Sequence, residues 1–349
     1  MRLTPRERVL TAFDHREPDR VPKWCGASPG FWERAKRELG IADDEGLRQR
    51  LGDDFRRVFA AYAGPPYTLS PGATMRTPFG VEREGIGYGQ PTGHPLAGAT
   101  VAQVHEFAWP DPAWMDISRI RAEAESYAGR YAVLGGDWSP FWHDAIDLLG
   151  MEELYLKMYD EPELVDAVMR HVVDYYAAVS ERTFDAAADA IDVFFIGNDF
   201  GGQTGPLLSP ELFDRFVLPH LARLADLGHA FDLKVMLHCC GGFAPLIPSM
   251  IAAGLDGLHA IQPSCAGMDL RALKAEFGDR VLFNGCIDSH HVLIEGTPET
   301  VRRRTREVLE IMKPGGGFAA GASHDWILPE TPVENVVAMF DAIVEYGAY

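Results

Sequence analysis

The chain has 349 residues, 47% of them hydrophobic, and a formal net charge of −19. That is enough apolar material for a sizeable core, yet no stretch approaches the roughly 18 consecutive apolar residues of a membrane span. A surface this acidic repels phosphate backbones and anionic lipid, which weighs against nucleic-acid and membrane partners.

Thr4-Pro5-Arg6-Glu7 has capping-box spacing with proline at the first helical position, which predicts a short helix through Phe13. Val21-Pro22-Lys23-Trp24 reads as a first strand and Arg56-Arg57-Val58-Phe59-Ala60 as a second. From about Thr74 to Trp109 the chain is rich in Gly, Pro and Thr, with alternating patches such as Val81-Glu82-Arg83-Glu84. This predicts a hairpin excursion, a lid or an interface element.

A regular alternation follows. Apolar runs at 131–134, 191–196, 233–237, 257–261, 281–283 and 318–322 each end in glycine or polar residues. Helical patterns separate them. Ser209-Pro210 opens one helix, Asp269 caps another that ends at Gly278, and Thr331-Pro332-Val333-Glu334 reads as a capping box for the last. With the first two strands, the strand count is that of a closed α/β (β/α)8 TIM barrel. No glycine-rich nucleotide-binding motif supports an open doubly wound sheet. Residues 1–349 are therefore read as a single barrel domain carrying an insertion at about 74–109.

The five cysteines are Cys25, Cys239, Cys240, Cys265 and Cys286. An odd count and an N-terminus without an apolar signal core predict reduced thiols and a cytoplasmic protein.

In α/β barrels chemistry is done where strands end at the C-terminal face. Asn198, Asp199, His238, Cys240, Gln262, Cys286, Asp288 and His324 all fall at such ends. His238 and Cys240, in His-x-Cys spacing, suit one soft or borderline metal ion, with zinc the expected one. A catalytic zinc needs a third protein ligand. His324 is the first candidate, with Asp325 and Cys286 as alternatives. Asp199 and His324 are the catalytic candidates, able to hold a cation or handle a proton. Trp24, Asn198, Gln262 and Asp288 are candidate substrate contacts. Trp138 and Trp142 either wall the pocket or pack the rim, and Cys239 is expected to pack.

Several motifs now add up. Thr4-Pro5-Arg6-Glu7-Arg8-Val9-Leu10, Pro18-Asp19-Arg20-Val21-Pro22, Ser209-Pro210-Glu211, His238-Cys239-Cys240-Gly241, Gly315-Gly316-Gly317-Phe318 and Pro332-Val333-Glu334-Asn335 span nearly the whole chain. Together they resemble the uroporphyrinogen decarboxylase superfamily, and within it the zinc-dependent, corrinoid-linked methyltransferase branch that includes methylcobamide:coenzyme M methyltransferases. The resemblance implies a (β/α)8 barrel and zinc held by a His-x-Cys pair and a later Cys. His238 and Cys240 match the pair. The later Cys is absent, and Gly321-Ala322-Ser323-His324-Asp325 stands in its place. His324 is similar to a histidine that other superfamily members carry near this point. The arginine-rich signature of the decarboxylases is missing from Pro22-Lys23-Trp24-Cys25-Gly26-Ala27-Ser28.

The resemblance thus implies methyl transfer between a corrinoid, or a small methylated substrate, and a thiol or similar acceptor. A metal-free decarboxylase or lyase of the same fold is the alternative. No Asp-x-His-x-x-Gly corrinoid-binding pattern occurs, so a corrinoid would come on a partner protein. A homodimer is compatible with this reading.

Overall fold

The computed structural model describes residues 2–85 and 89–349. Its centre is a seven-stranded parallel sheet. The strands, in order around the sheet, are β1 (Phe55–Arg57), β2 (Ala132–Gly135), β3 (Val193–Gly197), β4 (Lys234–His238), β5 (Gly257–Ile261), β6 (Leu282–Ile287) and β7 (Phe318–Ala322). Residues 22–24 fill the remaining place between β7 and β1. The Trp24 amide donates to the Ala320 carbonyl at 2.9 Å, and the Asp54 amide donates to the Lys23 carbonyl at 2.9 Å. The expected first strand is therefore present only as a bridge. Pro22 has no N–H to give, and the Lys23 N–H goes to the Asp54 carboxylate at 2.7 Å. With that bridge the sheet closes into the (β/α)8 arrangement.

Helices used below are α1 (Pro5–Phe13), α2 (Phe141–Leu149), α3 (Pro162–Ala187), α4 (Leu270–Phe277), α5 (Pro298–Met312) and α6 (Val333–Tyr346). The capping box of α1 forms with both hydrogen bonds, and its Val9, Ala12 and Phe13 plug one end of the barrel. Alternation along the strands sends Phe55, Leu134, Phe195 and Met236 into the barrel interior, while Phe194, Ile196, Val235 and Leu237 pack on the surrounding helices. The capping box expected at Thr331 does not form. Pro332 is the N-cap of α6, without a side-chain cap bond, because Thr331 is turned into a tight bend with its amide on the Leu328 carbonyl.

The expected hairpin excursion is a three-stranded antiparallel meander, Ala73–Arg76, Glu82–Glu84 and Gln90–Pro91. Ile86, Gly87 and Tyr88 of that excursion lie outside the described residues. The meander docks on α2 and α3. The Arg83 guanidinium pairs with Asp147, and the Leu96 amide donates to the Leu148 carbonyl at 2.9 Å. Phe79 is buried edge-on against Tyr175 and Tyr176. The meander thereby roofs one side of the barrel mouth. Among the described residues no helix is long and apolar enough to cross a membrane.

Candidate metal centre

His238 is the last residue of β4, and Cys240 follows it by two. The His238 Nε2 lies 3.4 Å from the Cys240 Sγ and 3.4 Å from the Asp199 Oδ1. Asp199 comes from the loop after β3. Its carboxylate is aimed by the Cys240 amide, which donates to Oδ1 at 2.7 Å, and its own amide donates to the His143 Nε2 at 3.1 Å. Zn–N and Zn–O bonds of about 2.0–2.2 Å and Zn–S of about 2.3 Å set tetrahedral edges of about 3.3–3.6 Å. The nitrogen already stands at that spacing from both the sulfur and the oxygen, and all three atoms lie within 4.8 Å of one another, so the donor set fits one zinc ion.

The backbone explains how they meet. Gly201 and Gly242 run side by side with Cys240 and Gly202, and the Gly242 amide donates to the Gly202 carbonyl at 2.8 Å. A Cβ on Gly241 would stand 2.3 Å from the Gly201 backbone, and its φ of +89° is in the region glycine favours. Both loops can approach only because these positions are glycine.

Electrostatics agree with a cation site. Burial alone raises the Asp199 carboxyl, but hydrogen bonds and charge from His143 and His238 outweigh it and hold the pKa well below the ordinary value. Burial, with the Asp199 charge added, pushes the Cys240 thiol well up. A thiolate at this position therefore calls for a positive partner.

A second group faces His238 from beneath. His238, His259 and Asp325 offer ligand atoms within 4.8 Å of one another. The Asp325 Oδ1 accepts from the Arg57 guanidinium at 2.7 Å. Burial works against the Asp325 charge, but Arg57 first, then His238 and His259, hold its carboxyl well below the ordinary value. Arg57 itself stacks over Trp24 and Phe195.

The centre opens on a cleft of about 760 Å³, lined among others by Met75, Arg76, Arg83, Trp138, His143, Asp144, Asp147, Met151, Tyr176, Asp199 and His238. Trp138 covers the Gly197 backbone and packs on the His238 ring, with centroids 5.4 Å apart.

The sequence candidates divide clearly. His238, Cys240 and Asp199 come together. His324 joins neither ligand group among the described residues. Its Nδ1 accepts the Trp326 amide at 3.1 Å, so its own loop holds the ring, and the next residue, Asp325, points inward instead. Cys286 faces a groove between α4 and α5 on the outside of the barrel. The alternation that should bring it inward breaks at Gly285 and Cys286, which have φ of +107° and +74°.

None of the four expected substrate contacts lines the cleft. Trp24 is buried under the centre against Arg57 and His259. The Asn198 side chain is consumed by the Trp142 amide and the Ser139 carbonyl. The Gln262 Oε1 accepts the Gly241 amide at 3.0 Å. Asp288 caps the turn after β6 by accepting from the His290 and His291 amides. The three polar side chains are thus taken up by backbone groups that need partners. Trp142 and Cys239 are buried core residues.

Sequence reasoning missed His143, Arg57 and His259, and left Trp138 between pocket wall and rim, of which it is the wall. Trp138 and His143 follow the end of β2 and Arg57 ends β1, so the strand-end rule could have found them. His259 sits opposite His238 in the register of β4 and β5, a pairing visible only once the strands are aligned. An exposed group, His290, His291 and Glu295, lies away from the cleft.

A profile of the uroporphyrinogen decarboxylase (URO-D) family matches residues 112–346. A uroporphyrinogen decarboxylase from Alkalilimnicola ehrlichii is 27% identical, across 98% of this chain and 94% of its own length. A methylcobamide:CoM methyltransferase from Methanosarcina acetivorans is 21% identical across 98% of both chains. The solved structure of a methyltransferase from Methanosarcina mazei superposes with a TM-score of 0.69 over 99% of both chains at 23% identity, which shows the shared fold. The relatives are thus enzymes of two kinds, methyltransferases and decarboxylases.

Proposed function

The chain belongs to the uroporphyrinogen decarboxylase family, and on that premise we propose that it is a zinc-dependent methyltransferase. It moves a methyl group between a corrinoid on a partner protein, or a small methylated substrate, and a thiol or similar acceptor. The observation that carries this reading is the convergence of His238 Nε2, Cys240 Sγ and an Asp199 oxygen within 4.8 Å of one another, with His238 and Asp199 lining the cleft.

His238, Cys240 and Asp199 would hold the zinc, with Asp325 the alternative oxygen donor in place of the expected His324. Zinc held by these residues would supply the Lewis acidity that lowers the pKa of an acceptor thiol. His143 and the Cys240 amide fix the Asp199 carboxylate. Trp138, Met75 and Met151 give the cleft apolar walls. The acceptor sulfur forms the new bond to the methyl carbon, and the electron pair of the broken methyl–donor bond leaves with the donor.

Decarboxylation of a polycarboxylate is the weaker reading. The cleft carries Asp144, Asp147 and Asp199, Arg83 is paired with Asp147, and Arg57 with Asp325. Both guanidiniums are thus engaged by the protein's own carboxylates rather than turned to a substrate's.

The test is zinc content of wild type and Cys240→Ala, purified without chelator, with His290→Ala/His291→Ala controlling for the exposed group. Wild type and the control should hold about one zinc per chain, the stoichiometry of a single site, and Cys240→Ala should lose it. Reduced wild type that takes up no added zinc would refute the proposal.

A further inference from the structure

We infer that His259 is a positioning residue for His238, accepting its Nδ1 proton and thereby leaving the His238 Nε2 lone pair free for the metal. The inference rests on the metal reading above and goes beyond it.

The two rings meet through their Nδ1 atoms, 3.0 Å apart, between directly paired residues of β4 and β5. Two such nitrogens form a hydrogen bond only when one carries the proton and the other a lone pair. If His238 Nε2 is to face Cys240 and Asp199 as a ligand, its proton sits on Nδ1. His259 must then be the acceptor.

The surroundings hold His259 to that role. It has no exposed surface, and its ring lies 4.5 Å from Trp24 and 5.5 Å from Phe195, centroid to centroid. A metal-bound histidine usually donates its second N–H to a carboxylate or a carbonyl. Here the Asp325 carboxylate, grouped with both rings, is engaged by Arg57, and an imidazole takes the role instead.

The arrangement carries a cost that a plain core residue would avoid. The His259 Nε2 is buried and has no hydrogen-bond partner. Leucine would fill a similar space with no unpaired polar atom. Packing therefore does not account for the imidazole, while the Nδ1 contact does. A neutral acceptor also adds no negative charge to a site that already contains Cys240 and Asp199.

The experiment compares zinc affinity of wild type, His259→Leu and His259→Asn by competition with a chromophoric chelator. Circular dichroism confirms that each is folded. Asparagine keeps an acceptor oxygen close to the Nδ1 position, whereas leucine keeps only bulk. His259→Leu should bind zinc about 10–100-fold more weakly, the range for lost partners of metal-bound histidines, and His259→Asn should stay within about threefold of wild type. Wild-type affinity in folded His259→Leu overturns the inference alone. So does an equal loss in both variants, which is the signature of packing. Wild type that binds no zinc overturns the metal reading, and this inference with it. Should His259→Leu fail to fold, histidine ¹⁵N–¹H correlation spectra of zinc-loaded wild type decide. A protonated His238 Nδ1 facing an unprotonated His259 Nδ1 supports the assignment, and the reverse overturns it.

Discussion

Asp144 offers a direct test of how the cleft is charged. It lies on α2 with 3% of its surface exposed, and its carboxylate accepts the Tyr176 hydroxyl. Burial is the largest influence and pushes its pKa up to about 7 from an ordinary 3.8. The Tyr176 hydrogen bond opposes that rise, the Asp147 charge adds to it, and Arg83 and His143 oppose it. A carboxyl with a raised pKa in the folded chain keeps a proton that the unfolded chain releases. Its stabilising contribution is complete below about pH 4 and is lost as pH rises through about 7. Asp144→Asn cannot ionise and removes that dependence. From pH 5 to about 7 the folded group keeps a proton that the unfolded chain has released, two pH units worth about 3 kcal/mol at about 1.4 kcal/mol per unit. The assay is urea unfolding of both proteins at the two pH values. The difference between them cancels every other titrating group. Asp144→Asn should gain about 3 kcal/mol on wild type between pH 5 and pH 8. A difference constant to about 0.5 kcal/mol, well under the worked value, would refute the claim that this carboxyl is neutral in the folded cleft.

Two further predictions concern the scaffold of the centre. Gly241→Ala must push the Gly201 backbone away and should abolish measurable zinc binding, with about 1–3 kcal/mol lost from stability as for other overpacked sites. Gly40→Ala, with φ of +66° but nothing within 4 Å, is its control and should leave zinc titrations unchanged. Arg57→Met strands the buried Asp325 charge and should cost about 3 kcal/mol in urea unfolding, whereas Arg57→Met/Asp325→Leu should recover most of it. A single variant as stable as wild type would show that the pair does not hold the mouth together.

Much of the barrel is legible in the chain itself. Strand periodicity, helix caps and glycine at the ends of apolar runs are local properties, and β3, β4, β5 and β7 fall within two residues of where the pattern puts them. The His-x-Cys pair and Asp199 are legible for the same reason, since strand ends in a parallel barrel share one face. The first strand is less legible, because Pro22 and the Asp54 carboxylate replace ladder bonds with contacts of another kind.

What the sequence by itself determined is the ring of strands and the polar residues at its mouth. Only the tertiary structure decided which of those residues remain available to a ligand. Asn198 is taken by partners 56 and 59 positions away, and Gln262 by one 21 positions away. His324 is held by its own loop, while Arg57 reaches Asp325 across 268 positions. A buried polar group binds whatever partner the closed barrel brings within about 3 Å. That partner is set by strand register and loop path, and no local spacing encodes it.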